Sequence, residues 1–200
     1  MSYEILLSTA YFPPAEYFSL IKKADTIFVE KEENYIKQTY RNRCKILTSN
    51  GVQILSVPVK RGRTLKTPIK EVEIDYSKRW QQIHIRALLS SYNSSPFFQY
   101  YFEQIRQEIM KNLRFLLDLN NELLEICMKI LQFNKSISYT YSFDQPAGRE
   151  NDFRYRISPK VNSTYRQKGY CQVFGEANFK SGLSILDLLF NTGSESSEYL

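Results

Sequence analysis

The chain contains a single histidine, so any imidazole chemistry must use it. His84 lies four residues after Trp80 and four before Leu88, which places all three on one face of a helix. An imidazole there can act as a general acid or base, or donate to a phosphate. On so apolar a face it can equally be a packed side chain held by one hydrogen bond. A second concentration of reactive groups is the stretch ENYIKQTYRNRCKI, residues 33–46. If residues 35–41 are extended, Tyr35, Lys37, Thr39 and Arg41 point one way, and Ile36, Gln38, Tyr40 and Asn42 the other. Neither set makes a core face. A lysine-bearing edge strand accounts for part of the pattern. Gln38, Asn42 and Arg43 together suit recognition of a carboxylate, a phosphate or sugar hydroxyls. Glu30 and Glu33 are nearby candidates for ion pairing or acid–base work. The third candidate is TAYFPPAEY, residues 9–17, a turn between a first strand and a helix N-terminus. Open α/β sheets bind anions at that position, but this turn has no glycine to cradle a phosphate. No GxGxxG, GxxxxGK[ST] or GxSxG occurs in the chain. Cys44, between Arg43 and Lys45, has neighbours that favour a thiolate, while strand alternation makes it a small core residue. Cys127 falls on an amphipathic helix and reads as packing.

Composition narrows these readings. One histidine excludes a two-histidine metal site, and three widely spaced cysteines without a CxxC argue against zinc and disulfides alike; no metal is expected, and no cofactor motif is found. The balance of 27 basic against 21 acidic residues, a net charge of +6, attracts phosphates in general. An anionic small-molecule substrate fits that balance. Nucleic acid also fits it, although no zinc-finger or RNA-binding signature is present. With 15 tyrosines against one tryptophan, the rings either line a concave polar site or fill a core of moderate polarity. The N-terminal MSYEILLSTAYFPP has no signal-peptide pattern, and no apolar run approaches the roughly 20 residues of a membrane span. A cytoplasmic location is therefore expected.

The elements that would position these groups form an α/β pattern. A strand at 3–9, a proline-led helix at 15–24 and a strand at 26–30 predict a βαβ unit with parallel strands. Residues 43–59 carry Asn50-Gly51 between two apolar runs, predicting a hairpin with a type I′ turn. The second run, apolar on both faces, predicts an interior strand. Residues 60–70 form a basic loop, and 69–75 alternate as a half-exposed strand would. Three helices follow, with Ser77, Ser95 and Asp118 as expected caps. A strand at 136–142, a polar loop at about 143–168, a strand at 170–174 and a Ser184-capped helix complete the chain. The fold class is α/β: a mixed sheet with a βαβ start, a β-hairpin and a central helical section, in one domain spanning 1–200.

Taken in order, YFPPAEYFSLIKKAD, VEKEENYIKQTYRNRCKI, GVQILSVPVKRG, EVEIDYSKRWQQIHIRALLSSYNSSPFFQYY and LLDLNNELLEICMKIL resemble the WbqC-like protein family of bacteria. The resemblance covers nearly the whole chain. It implies matched polar positions at Tyr11, Pro13, Asp25, Lys37, Asn42, Arg43, Trp80, His84, Tyr92 and Pro96. The chain departs from the pattern at Pro14-Ala15-Glu16-Tyr17, where many members have an aromatic residue and a glycine. The family takes its name from gene clusters for surface polysaccharide (O-antigen) synthesis, and the resemblance implies a transferase of acyl or aminoacyl (glycine) type. On that reading His84 handles a proton, Lys37 and Arg43 hold a phosphate or carboxylate, and Gln38 and Asn42 orient the acceptor, with Tyr11 beside them. The alternative is a non-catalytic nucleotide-, glycan- or RNA-binding protein that uses the basic loop 60–70 and the tyrosine-rich segment 139–170.

Overall fold

The computed structural model describes residues 2–60, 66–145, 150–175 and 178–200. Strand β1 (Glu4–Ser8), helix α1 (Ala15–Lys23) and strand β2 (Thr26–Glu30) make the expected βαβ unit. The two strands pair in parallel from Glu4–Thr26 to Ser8–Glu30. Pro14 occupies the position before α1 with φ −69°, an angle its ring already fixes. Lys135 closes the other end of α1, donating to the carbonyls of Ile21, Lys22 and Ala24 at 3.0, 2.7 and 2.6 Å. A cation thus meets the negative end of the helix dipole.

Strand β5 (Ile137–Tyr139) pairs in parallel with the far edge of β2. Residues 151–153 add a short parallel stretch to the free edge of β1. The Leu6 N–H donates to the Asn151 carbonyl at 2.9 Å, and the Phe153 N–H donates to the Leu6 carbonyl at 2.8 Å. The order across the sheet is β5, β2, β1, 151–153. In chain order this is third, second, first, fourth, as in one half of a doubly wound sheet. The direction of winding reverses between β1 and 151–153. Ile5, Leu7, Ile27 and Val29 are buried on one face. Leu6 and Phe28, opposite one another in register, are half-buried on the other.

Strands β3 (Arg43–Thr48) and β4 (Gly51–Ser56) form a separate antiparallel pair. Two details depart from expectation. The turn residues are Ser49 and Asn50, because Thr48 pairs with Gly51, and of the turn only Gly51 takes a positive φ, 97°. The Thr48 hydroxyl accepts from the Asn50 N–H at 3.2 Å and donates to the Gly51 carbonyl at 2.9 Å. A hydroxyl and one left-handed glycine thus replace the expected type I′ pair. β4 is also an edge strand rather than an interior one: Val52 and Ile54 are 51% and 53% exposed, while Cys44, Ile46 and Leu55 on the inner face are buried.

Helices α2 (Trp80–Tyr92), α3 (Phe98–Met110) and α4 (Leu116–Ile130) make up the central section. Their N-cap residues are Arg79, Phe97 and Phe115, none with a side-chain cap bond, so the expected Ser77, Ser95 and Asp118 caps do not form. Residues 69–71 make a 3-10 turn instead of a strand, and 170–174 carry no strand. Of the basic stretch 60–70, residues 61–65 lie outside the described residues, as do 146–149 of the polar loop. Helix α5 (Ile185–Thr192) has its expected cap, the Ser184 hydroxyl accepting from the Leu186 N–H at 3.3 Å. The N–H groups of Ser184 and Ile185 donate to the carbonyls of Lys45 and Pro13 at 2.7 and 2.9 Å. The C-terminal helix therefore ties the hairpin to the βαβ unit. Among the described residues, no helix is long and apolar enough to cross a membrane.

Candidate functional site

Polar residues at the ends of β1 and β2 and just beyond β5 are linked through Arg154 and Glu30. The Ser8 hydroxyl at the end of β1 donates to the Arg154 carbonyl at 2.8 Å. Glu30 at the end of β2 is fully buried. Its Oε2 accepts from Arg154 Nη1 at 2.7 Å, and its Oε1 accepts from the Thr140 hydroxyl at 2.5 Å and from the Glu32 N–H at 2.8 Å. Arg154 also forks onto Asp152, with Nε–Oδ1 3.0 Å and Nη2–Oδ2 2.6 Å, and reaches the Asp144 carbonyl at 2.9 Å. Arg41 forks onto the buried Glu33, with Nε–Oε1 2.8 Å and Nη2–Oε2 2.6 Å, and donates to the Ser8 hydroxyl at 2.7 Å. Asn120 of α4 joins from below, its amide donating to the Thr9 hydroxyl at 3.1 Å and the Arg41 carbonyl at 2.8 Å. Two arginines and two glutamates are thereby buried within one hydrogen-bonded system at the carboxyl edge of the sheet.

Burying four charges is tolerable only when each is paired and its remaining hydrogen-bonding positions are filled. Replacing them with apolar side chains would cost less in most cores, so the arrangement points to a role for the charges themselves. A cavity of about 570 Å³ adjoins Arg154. It runs over the Leu6–Phe28 face of the sheet, and none of the residues bordering it is helical. Among the described residues its charged lining is Glu4, Glu30, Asp144, Glu150, Asp152 and Arg154, five carboxylates and one guanidinium. A second space of about 10 Å³, bordered by Ser8, Thr9, Tyr17, Tyr40, Arg41 and Arg154, lies at the switch between β1 and 151–153. It has room for about one water. Among the described residues, no group of three or more His, Cys, Asp or Glu side chains could hold a metal ion.

The sequence model of the WbqC-like protein family matches residues 9–165. The chain belongs to the WbqC-like protein family. The matched span contains Glu30, Glu33, Arg41, Thr140, Asp152 and Arg154. The chain is also similar to a protein of Mycobacterium tuberculosis (strain ATCC 25618 / H37Rv) called "Uncharacterized protein Rv1507c", with 26% identity over 227 residues, 98% of this chain and 96% of that one. No solved structure matches the chain.

In this WbqC-like protein the residues singled out from sequence fall into separate environments. His84 is 2% exposed. One side of its ring bonds to the Ser56 backbone, so Nδ1 is left to accept from the Tyr11 hydroxyl at 2.8 Å. Trp80 packs against the imidazole edge-on at 5.2 Å between centroids. Burial lowers the His84 pKa from 6.5 to about 4 and raises that of Tyr11 well above its usual value. Burial likewise raises the Cys44 and Cys127 thiols, so both stay protonated. The Asn42 side-chain amide donates to the Val57 carbonyl at 2.8 Å, tying the loop to the end of the hairpin. Residues 35–41 are not extended; Gln38 sits in the left-handed region at φ 62°. Gln38 and Arg43 share a surface depression with Lys45 and Lys160. That depression is lined by Arg43, Cys44, Lys45 and Ile54 of the hairpin, and neither Tyr11 nor His84 borders it. Lys37 is exposed, and its carbonyl accepts from Lys160 Nζ at 3.3 Å. The structure thus joins Tyr11 with His84 and Gln38 with Arg43, but does not bring the two pairs into one cavity. Arg154 and Asp152 went unread in the sequence because they lie in the polar stretch 143–168. The alternation FRYRI at 153–157 gives no signal for Arg154, because it puts that residue on the polar side whereas Arg154 is the buried residue of the five.

Proposed function

We propose that this WbqC-like protein is a transferase that moves an acyl or aminoacyl group to or from an amine in surface-polysaccharide assembly. Its reaction centre is the 570 Å³ cavity over β1 and β2. The observation that carries this reading is the position of the cavity, beside the point where the sheet reverses its winding and where Ser8, Glu30, Thr140 and Arg154 converge. Open α/β sheets bind their ligands at such a point. The lining sets the ligand class. Arg154 is already engaged by Glu30 and Asp152, so the field inside the cavity favours an ammonium group over a phosphate. The bound ammonium first gives up a proton to expose the nitrogen lone pair; the free amine then bonds to the acyl carbon as the leaving group departs with its bonding electrons and takes the second proton, so the cavity's task is to remove the first. Asp144 and Glu150, whose carboxylates make no ion pair among the described residues, are placed to accept it. The association of the WbqC-like family with O-antigen clusters supports the choice of pathway. His84 receives no proton-transfer role, since both sides of its ring are occupied and it is sealed from solvent.

The test is transfer from activated acyl and aminoacyl donors to amino sugars, followed by mass spectrometry. The Asp144→Asn, Glu150→Gln double variant is expected to lose about 100-fold or more in rate, with folding intact because both residues are exposed. Undiminished transfer in that variant, with loss of transfer in a folded His84→Gln protein, would return the proton-handling role to the imidazole.

A further inference from the structure

A second site stands on the opposite electrostatic footing, across the segment 150–160 from the acidic cavity. Gln38, Tyr40, Arg43, Lys45, Ile54 and Lys160 border a depression of about 190 Å³ that contains three cations and no carboxylate. Among the described residues, no carboxylate forms an ion pair with Arg43, Lys45 or Lys160. Arg43 Nε is shut off from solvent and has no hydrogen-bond partner, which is costly for a charged donor. The Lys45 ammonium lies 5.9 Å from the Tyr40 ring centroid, and the Lys160 ammonium donates to the Lys37 carbonyl at 3.3 Å. Gln38, with φ 62°, is held in a backbone region that glutamine seldom occupies. Strain of this kind collects where a side chain must be presented to a ligand.

We propose that this depression is a phosphate subsite that takes a phosphate monoester or a diphosphate. Arg43 supplies a planar fork of donors, and Lys45 and Lys160 supply point charges on either side. The Gln38 amide adds a neutral donor. A carboxylate, with one negative charge, would leave most of the positive field unbalanced, while a phosphate dianion or a diphosphate balances it. The inference does not depend on the amine reading of the other cavity, because the two sites share no lining residue.

Calorimetric titration with inorganic pyrophosphate at fixed ionic strength tests it. The wild-type protein is expected to bind saturably. Arg43→Gln and Lys160→Ala should each weaken binding about tenfold, the loss of one charge-assisted contact. Arg106→Ala, an ion-paired helix residue elsewhere, should leave it unchanged. Lys160 is exposed, so its variant tests the site even if Arg43→Gln perturbs the hairpin. Failure of the wild-type protein to saturate would overturn the proposal, as would equal weakening by Arg106→Ala. Binding of a single-stranded RNA without binding of pyrophosphate would also overturn it, by assigning the charges to an extended polyanion with a steep salt dependence.

Discussion

Two buried polar clusters lie in this molecule and differ in what surrounds them. Tyr11, Trp80 and His84 sit among apolar side chains, neutral, and the Tyr11–His84 hydrogen bond is contained in the core. Glu30, Glu33, Arg41 and Arg154 are as well buried, but they are charged and joined through the Ser8 hydroxyl, and Glu30, Arg41 and Arg154 border open space. The first cluster has the residue types usually expected of an active site; the second has the position. A neutral imidazole held between a phenol and a backbone carbonyl stabilises a core. The charges at the carboxyl edge of the parallel sheet instead border a cavity, where the proposed function places the ligand.

Breaking the charged cluster should have the largest effect. Arg154→Ala leaves the fully buried Glu30 without its cation, and loss of one partner of a buried pair costs about 3–5 kcal/mol. Urea denaturation should show that loss as a lower midpoint, and a shift under 1 kcal/mol would mean that Glu30 is far better solvated than its position indicates.

The neutral cluster should reveal itself through pH. The folded state lowers the His84 pKa from 6.5 to about 4, so it refuses a proton that the unfolded chain takes up. Its contribution is fully present above pH 6.5 and falls away as the pH drops towards 4, by about 3 kcal/mol over that window. His84→Gln, which keeps a donor and an acceptor, should flatten this slope. An unchanged slope would place the acid sensitivity elsewhere.

Two smaller changes sharpen the contrast. Asp152→Asn keeps an acceptor for Arg154 and removes one cavity charge. It should cost about 1 kcal/mol of stability and weaken binding of an amine probe about tenfold, measured by calorimetry. Tyr11→Phe leaves His84 Nδ1 without its donor, at a cost of about 1 kcal/mol in thermal or chemical unfolding, with no change in ligand binding.

The legible parts of the sequence were those governed by local chemistry. The βαβ unit, the hairpin and the Ser184 cap follow from periodicity, turn residues and one hydroxyl. The hairpin's place was not legible, because Val52 and Ile54 are apolar yet exposed, and nothing local distinguishes an edge strand from an interior one. The charged site was half legible. Glu30 and Glu33 stood out as possible partners, but Arg154 is 124 residues from Glu30, and only the addition of 151–153 to the edge of β1 brings them together. The stretch 33–46 also divides in a way that alternation cannot reveal. The turn at Gln38 sends Arg41 inward to Glu33 and leaves Arg43 on the outer face with Lys45.

The most direct test of the central claim is amide chemical-shift mapping with a primary-amine probe, glycinamide, alongside its N-acetylated counterpart. Saturable shifts are expected at Leu6, Phe28, Glu30, Thr140 and Asp152 with the free amine alone, and none around Tyr11 and His84. Equal shifts from the acetylated compound, or shifts centred on His84, would contradict it.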